Sequence, residues 1–247
     1  MFNEEDFKGT PINICYVKSD YLKYIRKFDY RIPIKTNRKF IGLVILINGS
    51  QYVVPLTSKS SKERVSSGKR KRSPVVTTNL KDVADILHNN MFPVPSVEIE
   101  KIKDISYFTD PYLNYEYRLI RKKWAAINIK SMNVYRNRYI QKNKYYLFLN
   151  KICCDFKKLE EECKRWSYNH LFIQLKKEYV GKTFLSIRNK KELLEYFHVS
   201  KYVKKIELSK IDDTNKELQN VKIVIKDEYE QEKEINVRVK IMEKEYV

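Results

Sequence analysis

Residues 40–56 read Phe40-Ile41-Gly42-Leu43-Val44-Ile45-Leu46-Ile47, then Asn48-Gly49, then Ser50-Gln51-Tyr52-Val53-Val54-Pro55-Leu56. Both flanks are rich in β-branched residues, and Asn-Gly tolerates the positive φ angles of a type I′ turn, so the stretch predicts a tight β-hairpin. Pro55 lacks a ladder N–H, so the second strand should stop or bulge there. Thr57 and Ser58 then fall in a loop at a strand end, a common place for reactive side chains. Upstream, residues 12–17 read as a strand. A helix follows, capped by Ser19 or Asp20, with Leu22, Ile25 and Phe28 at helical spacing. Downstream, residues 92–106 suggest another strand and turn. Asp110 then caps a helix that starts at Pro111, and Leu113, Tyr117, Ile120, Trp124, Ile127 and Val134 form its apolar stripe. Near the C-terminus, residues 221–225 and 235–241 alternate at period two around the acidic residues 227–234, which predicts a second hairpin.

The chain of 247 residues carries 50 Lys and Arg against 31 Asp and Glu, a net charge of +19 with His neutral. Lysine-rich codon bias would raise acids in step with bases, and here they lag. A surplus of this size favours a polyanionic partner, because each neutralised phosphate releases counterions. Aromatic residues at 13% suit base stacking, and 43% apolar residues can supply a core. The charge is concentrated. Residues 59–72 hold seven bases (Lys59, Lys62, Arg64, Lys69, Arg70, Lys71, Arg72) and one acid, Glu63. Residues 118–151 hold ten bases and no acid: Arg118, Arg121, Lys122, Lys123, Lys130, Arg136, Arg138, Lys142, Lys144 and Lys151. Tyr135, Tyr139, Tyr145 and Tyr146 are interleaved with them. An ordinary surface helix mixes signs to gain i,i+4 pairs, whereas a track for phosphates accounts for their sacrifice. Residues 205–247, with nine bases and eleven acids, suit packing or assembly instead.

Several classes are disfavoured. The five glycines form no dinucleotide fingerprint, and Gly181-Lys182-Thr183 lacks the earlier glycine of a phosphate loop, since Lys176 stands there. The apolar run at residues 41–47 is too short to span a membrane, and the first residues do not resemble a signal peptide, so a cytoplasmic protein with no membrane partner is expected. Cys153, Cys154, Cys163 and His170 are placed along one helix, which cannot wrap a metal, so buried thiols without metal or other cofactor are expected. His88, His170 and His198 form no spaced motif and read as packing residues.

In order and spacing, several segments resemble the ToxN/AbiQ endoribonuclease toxins of type III toxin–antitoxin systems. They are Tyr21-Leu22-Lys23-Tyr24-Ile25 with Asp29 and Pro33, then Phe40-Ile41-Gly42-Leu43-Val44, and Tyr52 to Pro55-Leu56-Thr57-Ser58. Asn90-Met91-Phe92-Pro93-Val94 and Cys154-Asp155-Phe156 with Leu159-Glu160 complete the set. The resemblance covers roughly residues 12–167. It implies an α+β fold with a Kid/MazF-like twisted antiparallel β-barrel core and added helices. Residues 1–167 would form that domain, and residues 168–247 an α/β extension of unassigned role. It further implies metal-independent RNA cleavage to 2′,3′-cyclic phosphate and 5′-hydroxyl ends. The implied partners are cellular or phage RNA and a small, pseudoknot-like repeat RNA antitoxin, which the toxin processes and binds in a closed assembly. The implied setting is abortive phage defence.

By the same resemblance Thr57 and Ser58 are active-site hydroxyls, Tyr21 matches a tyrosine of the first helix, and Arg38, with Lys39 beside it, matches a basic residue before Phe-Ile-Gly. The family pattern Thr-Ser-Pro-Lys reads Thr57-Ser58-Lys59-Ser60 here, so Lys59 or Lys62 would serve as the active-site lysine. Independently, hydroxyls and a cation at one loop can hold a phosphate, and lysine or tyrosine can donate a proton. The basic loop and helix would hold RNA. The alternatives are a non-catalytic RNA-binding protein, favoured by the displaced lysine, and a DNA-binding regulator, disfavoured because no helix-turn-helix pattern accompanies the charge.

Overall fold

The computed structural model describes residues 12–33, 41–57, 65–101, 109–212 and 214–242. Arg38, Lys39, Ser58, Lys59, Lys62 and Arg64 lie outside the described residues. The chain divides into two compact units, Met1–Cys163 and Lys164–Val247. It is an α+β protein.

In the first unit, β1 (Asn13–Val17) leads into α1 (Ser19–Arg26), and the predicted hairpin follows as β2 (Ile41–Ile47) and β3 (Ser50–Pro55). Asn48 and Gly49 have φ of 50° and 79°, both positive as a type I′ turn demands, and Ile47 pairs with Ser50. The strand ends at Pro55. Next come β4 (Thr77–Leu80), β5 (Ala84–Leu87), β6 (Phe92–Pro93) and β7 (Ile99–Lys101). An antiparallel five-stranded sheet has the order β6-β3-β2-β1-β7, and β4 and β5 form a separate ribbon tied to β3 by a bridge between Leu56 and Ile86. Among the described residues the sheet keeps two edges. Leu43, Val44, Ile45, Tyr52, Val53 and Val54 are all buried, so the central hairpin is covered on both faces.

Two local expectations change. The α1 N-cap is Lys18, with no side-chain cap bond, instead of Ser19 or Asp20. Lys18 N–H still bonds the Glu98 carbonyl at 3.1 Å while its own carbonyl accepts from Leu22 N, so the chain turns from strand to helix at that residue. The expected single basic helix is two, α2 (Pro111–Lys122) and α3 (Trp124–Asn137). Asp110 caps α2 as predicted, accepting from Tyr112 N and Leu113 N. The break falls at Lys123 (φ −108°, ψ 10°), whose Nζ reaches the Asn79 carbonyl at 2.8 Å. Ile120, Trp124, Ile127 and Val134 are buried as the stripe requires.

After α4 (Tyr146–Ile152), Cys153 and Cys154 lie between helices, so Cys153, Cys154, Cys163 and His170 do not share the one helix expected; Cys163 and His170 belong to α5 (Phe156–His170). All four cysteines are buried and none forms a disulfide, and burial pushes Cys15 and Cys153 up to about 12. The segments that carry the family resemblance meet here. Asp29 accepts from Arg31 N, Nε and Nη2 and from Asp155 N, while Asn90 Nδ2 donates to the Arg31 carbonyl at 2.5 Å. Burial acts to raise the Asp29 pKa, yet the Arg31 and Asp155 bonds outweigh it and hold the carboxyl below its usual value. Tyr52 donates to Glu160 at 2.7 Å.

In the second unit, β8 (Ile173–Leu175) pairs with β10 (Phe197–Val199), and a four-stranded sheet has the order β11 (Lys205–Leu208), β12 (Gln219–Lys226), β13 (Glu232–Ile241), β9 (Leu185–Ile187). The expected hairpin is β12/β13. Its strands are longer than predicted, because Glu232 and Glu234 pair with Lys226 and Lys222 and so belong to β13. The turn is fastened by buried Asp227, which accepts from Tyr229 N, Gln231 N, Gln231 Nε2 and Ser167 Oγ. Val221, Ile223, Ile225, Val239 and Ile241 form the core with Leu185, Ile187, Leu193 and Phe197.

Candidate functional site

Where β3 ends, Leu56 bridges to β5 and Thr57 continues the pairing irregularly. Thr57 N–H donates to the Asp85 carbonyl at 2.9 Å, and Asp85 N–H donates to Thr57 Oγ1 at 2.8 Å. The hydroxyl is therefore held by backbone at a half-buried position. Asp85 itself is fully buried within an otherwise apolar strand. A buried carboxylate must be paired, and here Oδ2 accepts from Arg72 Nη1 at 2.7 Å and Oδ1 from Asn79 Nδ2 at 2.9 Å. Arg72 is one-fifth exposed, and Lys69, Arg70 and Lys71 before it are exposed.

The ribbon that carries Asp85 is anchored from below by His88. Ser131 Oγ donates to the Ile127 carbonyl, so its oxygen accepts Nδ1–H of His88 at 2.7 Å; Nε2 then accepts from Thr78 Oγ1 at 2.9 Å. Burial, with Lys130 nearby, pushes the imidazole down to about 3, and the ring stays neutral. His88 is a packing residue, as its sequence context suggested. Lys130 Nζ donates to the Pro74 and Thr77 carbonyls, and Lys123 Nζ to that of Asn79. These two bases of the presumed RNA track thus fasten the ribbon to the helices. Burial, and then the charge of Lys123, lower the pKa of Lys130.

The remaining candidates divide clearly. Arg118, Arg121, Lys122, Arg136 and Lys142 are exposed on or just after α2 and α3. Arg138, expected on the same surface, is buried. It pairs with Asp155 at 3.4 Å and stacks over Tyr139 and Phe156 at 5.0 and 5.6 Å. The apolar and aromatic surroundings make it an internal brace. Tyr21, expected at the reacting phosphate, is also internal: its side chain is fully buried and its hydroxyl donates to the Pro93 carbonyl at 2.6 Å. Asp85 and Asn79 were missed by sequence reasoning. The lone acid in Val83-Ala84-Asp85-Ile86-Leu87 was a usable signal, because an acid inside an apolar strand requires a partner.

A family profile described as "Toxin ToxN, type III toxin-antitoxin system" matches residues 13–164. The chain belongs to this family. Endoribonuclease ToxN of Bacillus thuringiensis subsp. kurstaki is 32% identical over 162 residues, which cover 61% of this chain and 81% of that protein. Two solved structures share its fold, each at 26% identity, with a TM-score of 0.53 over 64% of this chain. One, covered over 98%, comes from work on selective toxin inhibition by a non-coding RNA pseudoknot in type III systems. The other, covered over 99%, is AbiQ, a lactococcal anti-phage endoribonuclease. The match to the ToxN family stops at residue 164, close to where the second unit begins.

Proposed function

We propose that this ToxN-family chain is a metal-independent, sequence-selective endoribonuclease toxin acting at Thr57 and Ser58. The observation that carries the reading is a threonine hydroxyl fixed at a strand end by the backbone of Asp85, whose carboxylate holds a guanidinium, within a unit homologous to an endoribonuclease. The curved antiparallel sheet is read as a Kid/MazF-like core. In the reaction the ribose 2′-oxygen attacks the adjacent phosphorus and the P–O5′ bond breaks. The 2′-proton leaves to a base and the 5′-oxygen takes up a proton, giving 2′,3′-cyclic phosphate and 5′-hydroxyl ends. Hydroxyls of Thr57 and Ser58 orient the phosphate, cations offset its growing charge, and Lys59 or Lys62 supplies the proton.

Exposed Lys69, Arg70, Lys71, Arg118, Arg121, Lys122, Arg136 and Lys142 hold the RNA backbone. The same surface binds a structured repeat RNA, the antitoxin, which the enzyme trims and which then blocks it in a closed protein–RNA assembly. The relatives' pseudoknot inhibition and anti-phage role support this and an abortive-defence setting. Induced expression in a bacterial host tests the reading: growth should stop with fragmented RNA, and Ser58→Ala should abolish both. Growth arrest that persists in Ser58→Ala without RNA fragmentation would overturn it.

A further inference from the structure

One residue joins two features that the sequence separates. The backbone of Asp85 holds Thr57 through two hydrogen bonds of 2.9 and 2.8 Å, and its carboxylate holds Arg72 Nη1 at 2.7 Å. The carboxylate is fully buried and its second oxygen is occupied by Asn79, so its orientation is fixed from two sides. Arg72 differs from the other bases near the site. Lys69, Arg70 and Lys71 are exposed, whereas Arg72 is anchored and only 21% exposed. Among the described residues Nε and Nη2 of its guanidinium have no partner. A guanidinium held by one nitrogen and open at the others is suited to a phosphate, since its donors form a planar fork.

We infer that Arg72 is a catalytic cation of the Thr57 site, contacting the non-bridging oxygens of the scissile phosphate, and that Asp85 is the positioning residue that sets Arg72 and Thr57 in register. The inference rests on the nuclease reading above. Arg72 stays protonated throughout: as the 2′-oxygen bonds to phosphorus and the 5′-oxygen departs, the added negative charge on the phosphoryl oxygens meets a cation already in place. A charge anchored by a buried partner need not reorganise during the reaction, which is the condition under which electrostatic stabilisation is most effective. Asp85 touches no reacting atom and acts through the two groups it holds.

A double-mutant cycle on the full chain tests the assignment. Single-turnover cleavage of a short RNA with one mapped cut is followed at saturating protein for the wild type, Arg72→Ala, Asp85→Asn and the double variant, with Kd for the uncut RNA and thermal midpoints alongside. Asp85→Asn is chosen because it keeps both backbone bonds to Thr57. Arg72→Ala should slow cleavage by about 10²–10³ while Kd rises less than about tenfold. Asp85→Asn should slow it by about tenfold or more in the wild-type background and by less than about twofold when Arg72 is absent. A purely structural ion pair would move thermal midpoints but not produce that non-additivity in the rate. Should Arg72→Ala not fold, Arg72→Lys replaces it in the cycle, with a loss of about tenfold expected because the fork is gone. Cleavage by Arg72→Ala within about threefold of wild type, a Kd change that matches the whole loss of rate, or equal Asp85→Asn effects in both backgrounds would each overturn the inference and leave the nuclease reading standing. Absence of cleavage by the wild type would overturn both.

Discussion

His88 makes the stability of the first unit depend on pH in a calculable way. The folded ring, enclosed by Thr78 and Ser131, takes up a proton only near pH 3, whereas an unfolded histidine does so near 6.5. Below pH 6.5 the unfolded chain therefore binds more protons than the folded one, and stability falls as pH falls until about pH 3. Stability from this residue is complete above about pH 6.5 and is lost progressively below it. Between pH 7 and pH 5 the linkage is worth about 2 kcal/mol. For a unit of this size that corresponds to roughly 4–8 °C in Tm. His88→Gln removes the titration and leaves one hydrogen bond unmade, so it should cost about 1–3 kcal/mol at pH 7 yet lose about 2 kcal/mol less than wild type on going to pH 5. Urea unfolding at both pH values, followed by circular dichroism, measures the difference. Asp29 does not confuse it, because its lowered pKa exerts its effect below pH 5. Parallel pH losses in wild type and variant would refute the buried neutral imidazole.

Tyr21→Phe should destabilise the protein by about 1–2 kcal/mol, by stranding the Pro93 carbonyl, while folded protein cleaves RNA at the wild-type rate; unfolding curves and single-turnover kinetics check the two halves. RNA affinity should fall by about 10³ or more between 50 and 200 mM salt if six or more phosphates are neutralised, and the Arg118→Ala/Arg121→Ala variant should reduce the log–log slope by about two. Arg138→Ala should leave that slope unchanged and instead cost about 2 kcal/mol in a denaturant titration, because the residue braces Asp155 and Phe156. In the second unit, Asp227→Ala removes four hydrogen bonds at the β12/β13 turn and should lower stability by about 2–3 kcal/mol, against about 1 kcal/mol for Ser167→Ala.

What could be read from sequence was what local chemistry determines. Asn48-Gly49 enforces its turn whatever surrounds it, Pro55 ends its strand, and Asp110-Pro111 starts α2 with its own side chain. The break at Lys123 was hidden because no Gly or Pro marks it; the lysine instead bonds Asn79, 44 residues away in the chain. Burial of Arg138 and Tyr21 was equally hidden. A basic run and a helical tyrosine look alike whether the side chain meets solvent or the Asp155 and Pro93 of distant segments. At the candidate site, the strand end before Thr57 was legible from Pro55. The link from Thr57 to Asp85 and Arg72 was not, since it joins residues 28 and 13 positions apart through a ribbon whose pairing only tertiary structure fixes.

The termini left on cut RNA record which bond broke and whether a metal was needed. Purified, RNA-free protein is incubated with mixed cellular RNA in EDTA, and new ends are mapped and typed for wild type and Ser58→Ala. Discrete cuts within a shared sequence motif, with 5′-hydroxyl and 2′,3′-cyclic phosphate ends, are expected for the wild type and none for Ser58→Ala. Binding without cleavage by folded wild-type protein, or cuts that require a divalent cation, would contradict the metal-independent nuclease reading.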